Sequence, residues 1–136
     1  MRHITHLVVH CTATPQTTTI ASIQSYWRMH RKWKNPGYHY IIKPNGEIVQ
    51  LQPEDKPTNG VADHNAHSIH ISYIGGIDAK GMPIDNRTPQ QKLSLHKLLT
   101  LLKKRYPKAI IQGHKDFPNV KKACPSFDAR TEYKGL

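Results

Sequence analysis

Ile4-Thr5-His6-Leu7-Val8-Val9-His10-Cys11 is the stretch from which the fold can be read. It is short, rich in β-branched residues, and stopped by Thr12-Ala13-Thr14-Pro15-Gln16, which is the signature of a buried strand over residues 4–11. Beyond this strand, Thr19 is placed to cap a helix over roughly residues 20–34. In that segment Ile20, Ile23, Trp27 and His30 recur at steps of three and four and mark one inward face. Asn35-Pro36-Gly37 ends it. Residues 38–42 and 47–51 flank Lys43-Pro44-Asn45-Gly46, and the Asn-Gly pair signals a hairpin. Residues 52–66 are polar, carry Pro and Gly, and read as a loop.

Residues 68–74 set Ile69, Ile71 and Tyr73 against His70, Ser72 and Ile74, a strand with two differently lined faces. Gly75-Gly76 closes it, and a second polar loop follows over residues 78–87. Thr88-Pro89-Gln90-Gln91 then forms a capping box with Pro at the first helical position. Leu95, Leu98, Leu99, Leu102 and Tyr106 make the apolar stripe of a helix that ends before Pro107. Residues 109–113 form a last short strand that delivers His114 to its end. Strands alternating with two amphipathic helices predict an α/β fold with a central mixed β-sheet flanked by helices. At 136 residues, the chain is expected to be one domain, 1–136.

Twenty Lys and Arg against nine Asp and Glu give a formal charge of +11. Such a surface attracts polyanions: nucleic acid, anionic headgroups or the acidic polymers of a bacterial envelope. No helix-turn-helix or aromatic RNA-binding signature accompanies the charge, so nucleic acid is not the expected partner. No run is long enough to span a bilayer, so membrane insertion is not expected. Met1 to His6 holds no apolar signal region, so synthesis in the cytoplasm is expected. Two cysteines cannot build a disulfide framework.

Gly113-His114-Lys115-Asp116-Phe117-Pro118-Asn119-Val120-Lys121-Lys122-Ala123-Cys124-Pro125-Ser126-Phe127-Asp128 carries the chemistry. Imidazole nitrogen and thiolate sulfur are ligands that a borderline-soft ion such as zinc prefers. Pro118 and Pro125 make the segment between His114 and Cys124 a loop, which lets both turn back on one ion. A third ligand is needed, and His10, closing the run Leu7-Val8-Val9, is the candidate. Strand ends that open onto loops are where α/β folds place ligands. Three protein ligands with an open fourth position describe a catalytic zinc site.

Four motifs in order extend this reading: Val9-His10-Cys11-Thr12-Ala13-Thr14, Gly37-Tyr38-His39-Tyr40-Ile41-Ile42, the stretch from Asn65-Ala66-His67-Ser68-Ile69 to Tyr73-Ile74-Gly75-Gly76-Ile77-Asp78, and Lys122-Ala123-Cys124-Pro125-Ser126-Phe127-Asp128. Together they resemble the zinc-dependent N-acetylmuramoyl-L-alanine amidases of the phage-lysozyme and peptidoglycan-recognition-protein superfamily, over residues 4–130. The resemblance implies that His10, His114 and Cys124 hold Zn2+ and that Tyr38 and Lys122 are catalytic. It implies a monomeric hydrolase of the bond between N-acetylmuramic acid and L-alanine, acting on bacterial peptidoglycan after release or export. A non-catalytic recognition module on the same fold is the alternative, and retention of Cys124 favours the enzyme. Several superfamily members carry a glutamate where Ser72 stands, which points this chain to the phage-lysozyme variant. Gly60-Val61-Ala62-Asp63-His64-Asn65 is also shorter than the matching loop of many relatives.

The remaining histidines are expected to be peripheral. His3, His64, His67, His70 and His96 read as solvated, and His6 as packing or a neighbour of a ligand. His30 and His39, beside aromatics, are candidates to orient a ligand through a ring N–H. Cys11 should face away from His10 on a regular strand and serve in packing, with a Cys11–Cys124 disulfide as its competing use.

Overall fold

A computed structural model describes residues 2–136. Its elements are β1 (His6–Cys11), α1 (Ile20–Met29), β2 (Tyr40–Ile42), β3 (Ile48–Gln50), β4 (Ser68–Tyr73), α2 (Pro89–Arg105), β5 (Ile110–Gly113) and a terminal turn of helix, α3 (Ala129–Glu132). The five strands form one sheet in the order β3-β2-β4-β1-β5. β1 runs parallel to both β4 and β5, β2 runs parallel to β4, and β3 returns antiparallel to β2 through the Asn-Gly turn. The sheet is therefore mixed, as the alternation of strands and helices predicts.

Pleat parity divides the sheet into two faces with different tasks. Leu7, Val9 and Cys11 of β1, Ile69, Ile71 and Tyr73 of β4, and Tyr40 and Ile42 of β2 pack on Leu95, Leu98, Leu99 and Leu102 of α2, with Ala129 and Tyr133 beside them. The other parity carries Val8 against Val61 and Phe117, and Ile41 against Ile23 and Trp27 of α1. His10, His70 and Ser72 lie buried on that second face. α2 opens on the capping box read in the sequence: the Thr88 hydroxyl accepts from Gln91 N–H, and the Gln91 side chain accepts from Thr88 N–H. Gln91 also donates to the carbonyls of Ile42 and Ile74, which ties the helix start to two strands.

α1 is shorter than its periodicity predicts. It stops at Met29, with His30 as its cap. Lys32 adopts a positive φ of 58°, and Trp33 N–H donates to the Trp27 carbonyl, so the chain doubles back under the helix. His30 is consequently exposed and stacks on Tyr26, with ring centroids 5.3 Å apart, rather than facing inward.

Candidate metal centre

Three backbone devices converge at the ends of β1 and β5. His10 is the penultimate residue of β1, on the face opposite the α2 core. His114 follows β5 directly and starts a short 3-10 turn, His114–Asp116, whose Asp116 carboxylate accepts from Gly113 N–H. Cys124 arrives on the loop beyond. That loop is held at several points: Lys115 N–H donates to the Cys124 carbonyl at 2.9 Å, the Tyr73 hydroxyl to the Pro125 carbonyl at 2.7 Å, and the Ser126 hydroxyl to the Gly76 carbonyl at 2.9 Å. Gly113 has no side chain because a Cβ there would lie 2.6 Å from Pro125 Cδ. The Arg87 guanidinium, paired with Asp85 and Glu132, sits 3.5 Å above the Phe127 ring and clamps the far side of the loop.

Together these place His10, His114 and Cys124 with one ligand atom each within 4.8 Å of the others. The His10 Nδ1 to Cys124 Sγ separation is 3.7 Å. A tetrahedral zinc with ordinary Zn–N and Zn–S lengths spaces those two atoms by about 3.6 Å. The donor set fits a borderline-soft ion such as zinc, and this one spacing agrees with it. Both imidazoles are held neutral. Burial pushes His10 well below the usual histidine range, reinforced by the electrostatic repulsion that a proton there would meet from His70, His114 and Lys122. Burial and then Lys122 lower His114 to about 4. Cys124 is the opposite case: its hydrogen bond with the Cys11 thiol and its burial push it well above the ordinary thiol range, so ionising it calls for a cation. Cys11 contributes its backbone N–H to Cys124 Sγ at 3.2 Å, while its side chain joins the α2-side core. Both cysteines are free thiols.

The trio lies at one end of a groove of about 500 Å³ walled by α1 and the loop after β1. Tyr38 and Lys122 line this groove, as do Thr14, Tyr26, Trp27 and Arg31. Tyr38 lies in the segment before β2; its ring is 5.0 Å from that of His10, and its hydroxyl donates to the Cys11 carbonyl at 3.3 Å. Burial and then the two thiols raise its pKa far above the ordinary tyrosine value, so it remains a proton donor. Tyr40, two residues on, faces the α2 core and gives its hydroxyl to Glu54. Lys122 is exposed at the groove, whereas Lys121 does not line it.

A family profile described as "N-acetylmuramoyl-L-alanine amidase" matches residues 1–127. The chain belongs to this family. The endolysin of Enterobacteria phage K11 is 39% identical over 121 residues, 88% of this chain and 79% of the relative. Among solved structures, the N-acetylmuramoyl-L-alanine amidase LysC from Clostridium intestinale URNW superposes with a TM-score of 0.81 at 26% identity, covering 97% of this chain and 83% of LysC. The bumblebee PGRP-SA shares the fold at TM-score 0.78 and 17% identity, over 98% of this chain and 81% of its own. Within this amidase family the mixed sheet and flanking helices are the shared frame.

Two histidines of this amidase stand differently from their sequence reading. His70, expected in solvent, is fully buried and lies 2.8 Å from His10, Nδ1 to Nε2. The signal was in the parity of β4: His70 and Ser72 share the face opposite Ile69 and Ile71, and a doubly covered strand buries both faces. His39 is also fully buried, but it touches no member of the trio. Its Nε2 meets the Lys56 carbonyl at 2.7 Å, and its Nδ1 accepts the backbone N–H of His70 at 3.0 Å. His39 therefore anchors the strand that carries His70 and does not orient a ligand. Ser72, in place of the glutamate of some relatives, is buried at the register position beside His10 and puts no carboxylate in the groove.

Proposed function

We propose that this chain is a zinc-dependent peptidoglycan amidase that cleaves the bond between N-acetylmuramic acid and the first L-alanine of the stem peptide. The observation that carries it is the His10, His114 and Cys124 trio opening on a groove lined by Tyr38 and Lys122. The three side chains would hold one Zn2+ and leave a fourth position facing the groove. When bound, zinc supplies Lewis acidity that polarises a carbonyl and lowers the pKa of water. Hydrolysis adds water across the C–N bond, so the carbonyl oxygen gains negative charge and the departing amine needs a proton. The Tyr38 phenol donates a hydrogen bond to that oxygen. The Lys122 ammonium, at the groove mouth, stabilises the same charge and moves a proton to the L-alanine nitrogen.

Aromatic walls from Tyr26 and Trp27 offer flat surfaces to a sugar or peptide chain. The +11 charge raises the local concentration of the enzyme at anionic wall polymers without reading their sequence. No helix among the described residues is long and apolar enough to cross a membrane, and the enzyme acts as a monomer on the wall after release or export. Metal analysis tests the reading. The purified chain should carry one zinc, lose activity to a strong chelator and regain it with added zinc. Full activity in a metal-free preparation would overturn it.

A further inference from the structure

The proton positions around His10 can be deduced from one fixed donor. The backbone N–H of Val61 donates to Asn65 Oδ1 at 2.9 Å, so that atom is an oxygen and accepts only. The same Oδ1 lies 2.8 Å from His70 Nε2, which must therefore be the protonated nitrogen of that ring. His70 is fully buried, and the partners of its two ring nitrogens are Asn65 Oδ1 and His10 Nε2, neither of them a carboxylate that would balance a buried charge, so its ring is neutral. Its Nδ1 is then a lone pair. That lone pair faces His10 Nε2 at 2.8 Å, so His10 Nε2 carries the proton and His10 Nδ1 is bare. The bare nitrogen is the one that faces Cys124 Sγ.

We propose that His70, braced by Asn65, is a positioning residue that locks His10 in the tautomer and ring orientation needed to ligate the metal through Nδ1. A metal-ligating histidine usually donates the N–H of its other ring nitrogen to a carboxylate, a carbonyl or a water; here a second imidazole takes that place. The packing around His70 is built for it. Gly60 passes so close that a Cβ there would lie 2.3 Å from His70 Nδ1, so the ring fits only beside glycine. The strand under it is held by the His39 Nδ1 contact to the His70 backbone N–H. A space-filling role would require the ring's volume but not the direction of its lone pair.

This inference rests on the zinc reading for its purpose but not for its direct test. Nitrogen-15 NMR of the metal-free chain should show His10 with a protonated Nε2 and a bare Nδ1. A protonated Nδ1 on His10 would overturn the proposal, whatever the metal affinity. Zinc competition against a chelator supplies the second readout. His70→Leu keeps bulk but removes the acceptor, and should weaken zinc binding by about 10–100-fold. His70→Asn returns an acceptor oxygen near the position of Nδ1 and should recover most of that loss, although it fills the cavity less well. A folded His70→Leu chain with wild-type zinc affinity would contradict the proposal, as would a His70→Asn chain no better than His70→Leu. If the unmutated chain takes up no zinc, the zinc reading fails, and the NMR result alone decides the role of His70.

Discussion

Tyr38 and His10 pack side by side in the lining of the groove with ring centroids 5.0 Å apart, while Tyr40 turns to the opposite side of the sheet. Two tyrosines in one short motif thus have separable tasks. Removing one donor to a developing oxyanion typically costs on the order of 10²–10³ in turnover with little change in ground-state binding. Tyr38→Phe should show that loss in kcat while keeping zinc and affinity for peptidoglycan fragments. Tyr40→Phe should stay near wild type. Loss of zinc from Tyr38→Phe would instead make the tyrosine a support of the metal site.

Lys122 lines the groove and Lys121 does not, so the same comparison applies to the lysine pair. Lys122→Ala should retain zinc and lose turnover by a factor on the order of 10². Lys121→Ala should remain active. A reversed outcome in steady-state kinetics would assign the proton traffic to the other lysine.

Cys124 and Cys11 are distant in sequence, but the Cys11 backbone N–H donates to the Cys124 sulfur at 3.2 Å and the Cys124 thiol donates to the Cys11 carbonyl at 3.6 Å. Cys124→Ser should lose zinc sharply, because a hydroxyl remains protonated where a thiol ionises on the metal. Cys11→Ala keeps the backbone donor and should still bind zinc, at some cost in thermal stability from the emptied core position. Inductively coupled plasma analysis of both variants checks this; zinc retained by Cys124→Ser would contradict the ligand assignment.

Arg87 is buried, and its guanidinium bonds both Asp85 and Glu132 while covering the Phe127 ring. Arg87 holds both carboxyls below their ordinary values of 3.8 and 4.5. A depressed folded-state pKa contributes stability that is present above the unfolded value and is lost as pH falls through the folded one. Thermal stability should therefore drop as pH falls below about 4.5, with the steepest part below about 3.8. Arg87→Met should flatten that acid limb and cost about 2–3 kcal/mol at neutral pH, less than a fully buried pair because both carboxylates keep some water. An unchanged acid limb in Arg87→Met would place the pH dependence elsewhere.

The basic surface acts at range, so it should be sensitive to salt. Binding to intact sacculi should fall as the Debye length shrinks from about 10 Å to about 3 Å. Cleavage of a small soluble muropeptide should change far less. Equal salt sensitivity for both substrates would remove the charge from the account.

Much of this molecule is legible in its sequence because strong local signals agree with the final packing. The β-branched run before His10, the Asn-Gly turn and the Thr88 capping box each specify an element without help from distant residues. The His10, His114 and Cys124 cluster is legible because its members sit at strand ends and on a proline-bounded loop. What the sequence conceals is set by tertiary contact. The early stop of α1 depends on Trp33 folding back beneath Trp27. The burial of His70 depends on which loop covers the second face of β4, and that loop, with Gly60 and Asn65, has no periodicity to betray its path. The polarity of the His10, His70 and Asn65 chain follows from a single backbone N–H, at Val61, and no pattern of residue types encodes it.

Digestion of purified peptidoglycan, followed by mass spectrometry of the soluble products, decides between an amidase and a recognition module. Run with the zinc-loaded chain and with the same chain after chelation, it should release free stem peptides that begin at L-alanine in the first case and none in the second. Intact muropeptides from the zinc-loaded chain, with binding retained, would contradict the amidase reading and leave a recognition module on the same fold.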